Sequence, residues 1–492
     1  MGRSGAVFVG VCALLIAMGA PAAADPGKPG QVCDLQPAEN EEAPAGSVAV
    51  DPGVDSDLAT QTAAHPPGTT FWLRPGTHTL GSDRFGQVSP KDGDTYLGAP
   101  GSVLDGRGVN QAAFTQRAKG VTIRGLTVRG FAAPQDQGVV NHDSGDGWLI
   151  ENVTIEGNKG AGLMAGAGQV VRHSCLRNNG QYGLNAYQVG DGIVGLVLEG
   201  NEITGNNTGD WEHQVPGCGC SGGAKFWAVN GADIRGNWVH GNHGAGLWAD
   251  TNNNDFLVEG NLFEANEAEA LFYETSYNLT LRGNTFRGNM LVQGRAFADR
   301  GDNFPVATVY LSESGGEPRV PARTSSIDIA DNVFEDNWAG ITLWENADRY
   351  CNSPANTSSG YCTKVASGSS CVAGKIGSAP AFGDCRWKTQ HVDIHGNTFR
   401  FDPGRVGCTS LCGRMALLSN FGTFPDWSPY KGNVVADAIT FAQDNHWHGN
   451  TYSGPWTFMA HDTSRMLSPS AWQAAPYLQD ACSSFAGGAP GC

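Results

Sequence analysis

An asparagine repeat constrains the fold of this chain more than any other feature. A first asparagine, usually after glycine, is followed five positions later by a second, and the first asparagines recur after 24 and then 23 residues from Asn237 through Asn261 to Asn284. The repeated pairs are Asn201/Asn206, Asn237/Asn242, Asn261/Asn266, Asn284/Asn289 and Asn332/Asn337, with a further Gly396-Asn397. A fixed period of roughly 20–50 residues is typical of proteins built from stacked units.

Short alternating apolar segments precede these asparagines. They are Val153-x-Ile155, Leu196-x-Leu198, Leu279-x-Leu281, Ile327-x-Ile329 and Val392-x-Ile394. Alternation with period two, closed by Gly and Asn, predicts half-buried β-strands, and one such unit cannot bury its apolar face alone. We therefore predict an all-β fold, a single-stranded right-handed parallel β-helix whose asparagines occupy left-handed turns and hydrogen-bond their copies in the next coil. The alternative, an all-β sandwich, has no such constant repeat.

The repeat also divides the chain into segments. We predict the β-helix over residues 46–450, after a linker at 25–45 and before a C-terminal cap at 451–492. Residues 51–64 are expected to form a short amphipathic helix, with Val54 and Leu58 on one face, that covers the open N-terminal end of the solenoid. Residues 346–391 interrupt the repeat and form a cysteine-rich insertion.

The N-terminus and the cysteines indicate export. Arg3 precedes an apolar stretch, and small residues at 22–24 offer a cleavage site, so we predict a signal peptide over residues 1–24 and a secreted protein. Its removal leaves 12 cysteines, an even number that favours disulfides in an exported chain. Cys218 and Cys220 are too close to pair easily with each other, and Cys175 is one candidate partner.

Charge and hydropathy exclude several classes of partner. The chain has 492 residues, a net charge of −17, and only 16% charged residues. Nucleic-acid binding needs clustered Lys and Arg, so we expect no nucleic-acid partner. No apolar run beyond the N-terminus approaches the ~18 residues of a membrane span, so we also expect no membrane partner. The expected state is a monomer.

A segment near the N-terminus carries a family resemblance. It reads Pro67-Gly68-Thr69-Thr70-Phe71-Trp72-Leu73-Arg74-Pro75-Gly76-Thr77-His78 and, with the Gly-Asn coils that follow, resembles the pectate-lyase-like β-helix superfamily over roughly residues 46–450. The resemblance implies the β-helix fold and, among activities, supports a polysaccharide lyase or a uronate epimerase. The catalytic motifs of polygalacturonases, alginate epimerases and pectate lyases are absent, so no family's catalytic residues are carried over.

A second repeated element ends in acids. It reads Gly-Leu-Trp-Ala-Asp at 246–250, Ala-Leu-Phe-Tyr-Glu at 270–274, Val-Tyr-Leu-Ser-Glu at 309–313 and Ile-Thr-Leu-Trp-Glu at 341–345. Stacking brings Asp250, Glu274, Glu313 and Glu345 to one edge of one sheet, on coils about 4.8 Å apart, with the register of the last two open by one residue. Because like charges at this spacing repel, they need protons, cations or a function, and we predict these four acids as catalytic residues.

The neighbouring side chains suit a sugar substrate, because aromatic rings fit the C–H faces of sugars. The predicted substrate-binding residues are Lys225, Trp227, His243, Trp248, Asp255, Phe272, Tyr273 and Trp344. Lys225 either neutralises Asp250 or abstracts a proton next to a uronate carboxylate. We expect the loop at 210–213 to overhang the same face. The alternative is that the acids cap turns and the aromatic rings pack under the insertions.

No metal site or cofactor is firmly implied, and Ca²⁺ is the one candidate left open. Residues 250–255 place oxygen-bearing side chains at alternate positions, as the start of an EF-hand loop does. An EF-hand has Gly at its sixth position and Glu at its twelfth, where this chain has Asp255 and Asn261. The alternative is an asparagine-rich left-handed turn.

Three functions compete on this evidence. The first is a secreted glycoside hydrolase or transglycosidase acting on an extended glycan laid along the solenoid, and an acidic groove favours a neutral glycan. The second is a polysaccharide lyase or uronate epimerase, which must neutralise a uronate carboxylate with Ca²⁺, Lys225 or arginines. The third is a non-catalytic glycan-binding or cell-surface protein that uses the same aromatic groove.

Overall fold

Three parallel β-sheets wind around one core in the computed structural model, which describes residues 28–35, 40–187, 192–215, 222–356 and 361–485. Successive coils contribute neighbouring strands to each sheet, so each strand inside a sheet pairs with its counterparts in the previous and next coils. The predicted signal peptide at 1–24 and the pair Cys218 and Cys220 lie outside the described residues. The predicted all-β parallel architecture is confirmed.

The strands of each sheet follow one another in chain order. The first sheet comprises Val48–Val50, Thr70–Leu73, Thr95–Gly98, Thr122–Arg124, Leu149–Glu151, Val170–Arg172, Ile193–Glu199, Val229–Arg235, Asn254–Glu259, Tyr277–Arg282, Ile327–Ala330, Val392–His395 and Asn445–His448. The second comprises Gly76–His78, Ser102–Asp105, Thr127–Arg129, Thr154–Glu156, Cys175–Arg177, Glu202–Thr204, Trp238–His240, Leu262–Glu264, Thr285–Arg287, Val333–Glu335, Thr398–Arg400, Thr451–Ser453 and Ser484–Phe485. The third comprises Gly138–Val140, Ala161–Met164, Leu184–Ala186, Ala224–Phe226, Leu247–Ala249, Leu271–Glu274, Val309–Ser312, Ile341–Glu345, Arg414–Ser419 and Thr457–Ala460.

Short helices lie at the ends of the solenoid and in the loops between strands. They are Asp57–Ala64, Trp211–Gln214, Leu291–Asp299, Ala381–Asp384, Pro403–Val406, Val434–Phe441 and Pro469–Gln473. No helix in the described part of the chain is both long and apolar enough to cross a bilayer.

The asparagine repeat forms two buried hydrogen-bonded ladders at the sheet corners. In the first ladder the Asn237 side chain donates to Asn261 Oδ1 at 2.9 Å, and Asn261 donates to Asn284 Oδ1 at 3.0 Å. In the second ladder Asn242 donates to Asn266 Oδ1 at 2.9 Å in the same way. Each coil is thereby locked to the next at a fixed register, as the sequence predicted.

The predicted left-handed turn conformation belongs to the glycine and not to the asparagine. Gly236 and Gly260, which precede ladder asparagines, have φ values of 60° and 65°. A residue without Cβ adopts this conformation at little steric cost. The asparagine that follows therefore keeps ordinary backbone angles and turns its amide into the corner, which corrects the expectation.

The two ends of the solenoid are covered, with boundaries different from those predicted. The N-terminal helix is Asp57–Ala64, with Leu58 buried, but Val54 precedes the helix and is 53% exposed. At the other end, strands of residues 451–485 continue the second and third sheets, so this segment is not only a cap. Its helix Pro469–Gln473 closes the core, where Trp472 stacks on Phe458.

Part of the predicted linker at 25–45 is anchored to the solenoid. The anchored part lies within residues 28–35. Cys33 forms a disulfide with Cys175, so Cys175 is not the partner of Cys218 or Cys220. The backbone N–H groups of Val32 and Cys33 donate to Glu202 Oε2 at 2.8 and 2.9 Å. These bonds hold the segment against the outer face of the second sheet.

The other disulfides described are local. They join Cys351 to Cys362, Cys371 to Cys385 and Cys408 to Cys412. The first two lie in the insertion at 346–391, where Cys351, Cys371 and Cys385 form a small core of their own. The insertion packs onto the turn that follows Asp250, since Trp387 Nε1 donates to Asn252 Oδ1 at 3.0 Å.

Candidate functional site

The outward face of the third sheet carries a row of aromatic rings. Parallel pairing aligns Lys225 with Trp248, Trp248 with Phe272, and Phe272 with Tyr310. Trp248 and Phe272 stack at 4.8 Å between ring centroids, and Phe272 and Tyr310 stack at the same distance. We call Trp248, Phe272 and Tyr310 the aromatic row. Sequence analysis predicted the first two and missed Tyr310.

A groove with a volume of about 420 Å³ opens above the first two rings of the aromatic row. One wall is the loop at 207–215 from the preceding coil, as expected for residues 210–213, and the other is the helix Leu291–Asp299 from the following coil. The floor therefore spans two coils, about 10 Å along the solenoid axis.

Five charged residues meet at the end of the third-sheet strands, next to this groove. We call Lys225, Asp250, Glu274, Glu313 and Arg349 the acid cluster. Lys225 Nζ lies 3.1 Å from Asp250 Oδ2 and 4.3 Å from the centre of the Trp248 ring. Arg349, from the insertion, contacts the Glu274 carboxylate and lies 3.6 Å from Glu313 Oε2. Three carboxylates thus share two cations.

One hydrogen bond connects the acid cluster to the groove. Trp248 Nε1 donates to Glu274 Oε2 at 3.0 Å, while the ring of Trp248 lines the groove. Asp250 is held in place by Thr251, whose backbone N–H and hydroxyl both donate to Oδ1 at 2.7 and 3.0 Å. The carboxylates of Asp250 and Glu274 are therefore oriented by their own neighbours.

Glu313 reaches the acid cluster through a change in register. The sheet pairs Glu274 with Ser312, which leaves Glu313 one residue beyond the row of Asp250 and Glu274. Its φ of 47° is left-handed, and its carboxylate accepts from Ser312 Oγ at 2.6 Å and from the Asn346 backbone N–H at 2.9 Å. The register left open in the sequence is therefore shifted by one position at this acid.

Burial raises the pKa of two acids in the cluster. For Glu274 desolvation has the largest effect, the Asp250 charge raises the pKa further, and Arg349 opposes both. For Glu313 desolvation raises the pKa to about 7, against the opposing effect of Arg349. A carboxyl group whose pKa is near 7, as that of Glu313 is, can give or take a proton at physiological pH.

Glu345 is not part of the acid cluster. Its side chain is buried beneath the insertion, where it contacts Arg386 and accepts from the Thr389 backbone N–H at 3.1 Å and from Gln443 Nε2 at 2.9 Å.

All four predicted acids are buried, with exposed fractions of 7% for Asp250, 9% for Glu274, 2% for Glu313 and 1% for Glu345, so the prediction that they face solvent is wrong. The insertion supplies Arg349 and Arg386, which hold Glu274, Glu313 and Glu345 in buried ion pairs.

The structure places two predicted substrate-binding residues away from the groove. Tyr273 alternates inward between two outward residues, so its ring is fully buried and its hydroxyl donates to the Tyr277 carbonyl at 2.6 Å. Asp255 is on the first sheet, where its carboxylate binds Arg323 at 3.0 Å. Neither side chain is available to a ligand in the groove.

The remaining predicted residues surround the groove or the acid cluster. His243 is exposed at the groove rim, with Nδ1 3.0 Å from Glu267 Oε1. Trp227 follows Phe226, which pairs with Ala249, so it occupies the position of Asp250 one coil earlier. Its ring makes an edge contact with Tyr361 at 5.0 Å. Trp344 makes an edge contact with Phe304 at 5.2 Å, beyond the aromatic row.

The oxygen-bearing residues at 250–255 do not converge on one point. Asp250 pairs with Lys225, and Asp255 pairs with Arg323 on another sheet. The Asn253 amide donates to Ser276 Oγ at 3.1 Å, as part of the coil-to-coil bonding. Within the described ranges, no group of three or more His, Cys, Asp or Glu side chains is arranged to hold a metal ion.

Sequence analysis also missed an acid in the groove floor. Glu269 lines the groove beside Phe272, and it is half-buried. Aligning the coils through the pair Leu247 and Leu271 puts Glu269 opposite Ala245. An acid where the neighbouring coil has alanine is the sequence signal that could have identified it.

Comparison with known proteins agrees with this architecture. A family model described as "Right handed beta helix region" matches residues 137–316. The chain is a right-handed parallel β-helix. No protein with a curated description matches its sequence.

Solved structures similar to this β-helix share its fold at low sequence identity. The catalytic unit of a thermostable GH87 α-1,3-glucanase from Streptomyces thermodiastaticus has a TM-score of 0.51 and 15% identity, covering 86% of this chain and 71% of that one. The A-module of the Azotobacter vinelandii mannuronan C-5 epimerase AlgE4 has a TM-score of 0.38 and 12% identity, covering 62% of this chain and 89% of that one.

We expect the stability of this β-helix to depend on pH because of the buried Glu313. Its pKa in the folded protein is about 7, above the ordinary 4.5. The stability that the protonated carboxyl group contributes is therefore fully present below about pH 4.5 and is lost as the pH rises through 7. This difference between the two pKa values corresponds to a change of about 3 kcal/mol in the free energy of unfolding. Glu313→Gln, which resembles the protonated acid, should match the native protein at pH 5 and exceed its free energy of unfolding at pH 8.

Urea unfolding at the two pH values measures this effect. Glu259→Gln is the control, because Glu259 is a partly exposed acid paired with Arg282 on the first sheet. If Glu313→Gln lowers stability equally at pH 5 and pH 8, the proposed protonation of Glu313 is wrong.

Proposed function

We propose that this β-helix is an enzyme that cleaves an extended polysaccharide, as a glycoside hydrolase or transglycosidase. The observation that carries the proposal is the hydrogen bond from Trp248 to Glu274, which joins a ring in the groove to a carboxylate of the acid cluster. A sugar ring stacked on Trp248 and Phe272 is thereby brought next to oriented acids. Glycoside hydrolysis uses a pair of carboxyl groups in this way.

The acid cluster supplies groups for both roles in such a reaction. Asp250 and Glu274 lie on neighbouring strands in register, and neighbouring strands are about 4.8 Å apart. One carboxyl group acts as the acid and the other as the base or nucleophile, with Glu313 in support. Lys225 and Arg349 limit the repulsion between the acids.

The charge of the groove favours a neutral glycan. Among the described residues, Asp210, Glu212 and Glu267 line it against one arginine, Arg300, so a polyanionic chain would be repelled. The α-1,3-glucanase to which the fold is similar acts, by its name, on a neutral glucan, which supports the same class of substrate. The described disulfides support a secreted enzyme, since such bonds persist in oxidising compartments.

A polysaccharide lyase or uronate epimerase is the second candidate. The observation that favours it is the presence of Lys225 and Arg349 among the acids, because a uronate carboxylate needs neutralising cations. Both cations already bind carboxylates of the cluster, so a uronate must compete with Asp250, Glu274 and Glu313 for them.

A panel of glycans separates the candidates. The mature protein is incubated with neutral and uronate-containing polysaccharides, and reducing ends are followed separately from the absorbance of unsaturated uronides. Reducing ends without the absorbance support the hydrolase, and both signals together support the lyase. An epimerase changes the uronate composition of the polymer, as seen by NMR, with neither signal. Retardation in glycan affinity gels with no chemical change supports the binding protein.

Trp248→Ala is expected to raise KM at least about tenfold, because burying a large aromatic side chain contributes roughly 1.5–3 kcal/mol. Retardation in affinity gels should weaken in parallel. Trp238→Ala is the matched control, since Trp238 is on the second sheet of the same coil and stacks on His240. Equal KM values for Trp248→Ala and Trp238→Ala would remove the aromatic row from substrate binding.

A further inference from the structure

Glu269 differs from the acids of the acid cluster in its surroundings. In the parts of the chain that the structure describes, no lysine, arginine or histidine forms an ion pair with it. Asp250, Glu274 and Glu313, by contrast, are each close to Lys225 or Arg349. The described part of the fold therefore supplies no cation that would hold Glu269 in its ionised form.

The position of Glu269 is also distinct, because it lines the groove itself. It shares the groove with the rings of Trp248 and Phe272 and with apolar residues of the facing helix, Ala296 and Phe297. Glu274 follows Phe272 on the same strand and is bound by Trp248, which stacks on Phe272. One carboxyl group thus precedes the Phe272 ring along the strand and another follows it.

The two carboxyl groups influence each other. Burial is the largest effect that raises the pKa of Glu269, its own backbone N–H opposes it, and the charge of Glu274 adds to it, which together bring the pKa to about 7. A carboxyl group in an apolar pocket that keeps its proton near neutral pH is suited to act as a general acid, while an ionised partner acts as the base.

We propose that Glu269, in place of Asp250, is the general acid of the cleavage, with Glu274 as the base on the other side of the Phe272 ring. This assignment rests on the proposed hydrolase function. The proton of Glu269 moves to the glycosidic oxygen as the bond from that oxygen to C1 breaks. The oxygen of a water molecule forms the new bond to C1, and Glu274 takes a proton from that water. Exchange with solvent then returns a proton to Glu269 and removes the proton from Glu274.

The test compares leaving groups that do and do not need a proton. Glu269→Gln is assayed on an oligosaccharide of the glycan cleaved in the panel and on the 2,4-dinitrophenyl glycoside of the same sugar. We expect hydrolysis of the oligosaccharide to fall at least about 100-fold, because general acid catalysis contributes roughly 10²–10⁴-fold. Hydrolysis of the dinitrophenyl glycoside should be nearly unchanged, since dinitrophenolate leaves without protonation. The alkaline limb of the kcat/KM profile should also disappear.

The outcomes separate this assignment from the proposed function. If the native enzyme cleaves the oligosaccharide and Glu269→Gln cleaves it equally well, or loses both substrates to the same extent, Glu269 is not the acid. If the native protein cleaves no glycan of the panel, the hydrolase function fails and the assignment fails with it. Glu259→Gln, on the first sheet, should behave as the native enzyme with both substrates.

Discussion

Glu274→Gln is expected to lower kcat on the cleaved glycan by about 10²–10⁴-fold, the contribution typical of a positioned acid or base. Asp250→Asn should have an effect of similar size if Asp250 is the second catalytic carboxyl group, and a much smaller effect if Glu269 is the acid. The amides keep the shape of the side chains and can still accept the hydrogen bonds from Trp248 and from Thr251. They remove the charge that the reaction needs, so KM should change much less than kcat.

The control for both variants is Glu259→Gln. Glu259 is an acid on the strand that follows Asp250, and it pairs with Arg282 outside the groove. Its kcat should equal that of the native enzyme. Melting temperatures of all three variants establish that they are folded. Turnover near the native rate in both Glu274→Gln and Asp250→Asn would remove these residues from the mechanism.

Asn261→Ala is expected to destabilise the fold by about 4 kcal/mol, because buried groups left without a hydrogen bond cost about 1–3 kcal/mol each. Asn261 Oδ1 accepts from the backbone N–H and the side chain of Asn237 at 2.8 and 2.9 Å. Its amide nitrogen donates to the Ile234 carbonyl at 2.9 Å and to Asn284 Oδ1 at 3.0 Å. Alanine removes these four hydrogen bonds, although Asn284 Oδ1 still accepts from the backbone N–H of residue 261 and the Asn237 amide still donates to the Leu198 carbonyl, both at 2.9 Å.

The measurement is urea unfolding of Asn261→Ala and of a control, Asn230→Ala. Asn230 is half-buried and accepts a single hydrogen bond, at 2.8 Å from Asn254, so its loss should cost about 1 kcal/mol. A loss below about 1 kcal/mol for Asn261→Ala would show that the ladder contributes little to stability.

The groove shows how insertions can make a specific site on a repetitive scaffold. The coils alone would offer a uniform face along the third sheet. The loop at 207–215 and the helix Leu291–Asp299 limit the open part of that face to two coils. The insertion at 346–391 then adds Arg349 to the acids at the strand ends.

The stacked fold was predictable because its causes are local and repeated. Alternating apolar residues and Gly-Asn corners have the same meaning in every coil, so the asparagine ladders and the alignment of Asp250 with Glu274 follow from the repeat alone. The aromatic row follows for the same reason, since Trp248 and Phe272 occupy equivalent positions.

Only the tertiary structure decided how deeply each acid is buried and which cation it pairs with, because both depend on residues distant along the chain. Glu345 is buried by Arg386, and Glu274 is bound by Arg349, both of which come from an insertion with no repeat to align. Glu269 gained its apolar surroundings from a helix inserted in the next coil. Repeated local patterns specify which residues share a face, whereas the charge and burial of each residue depend on what the irregular segments place over it.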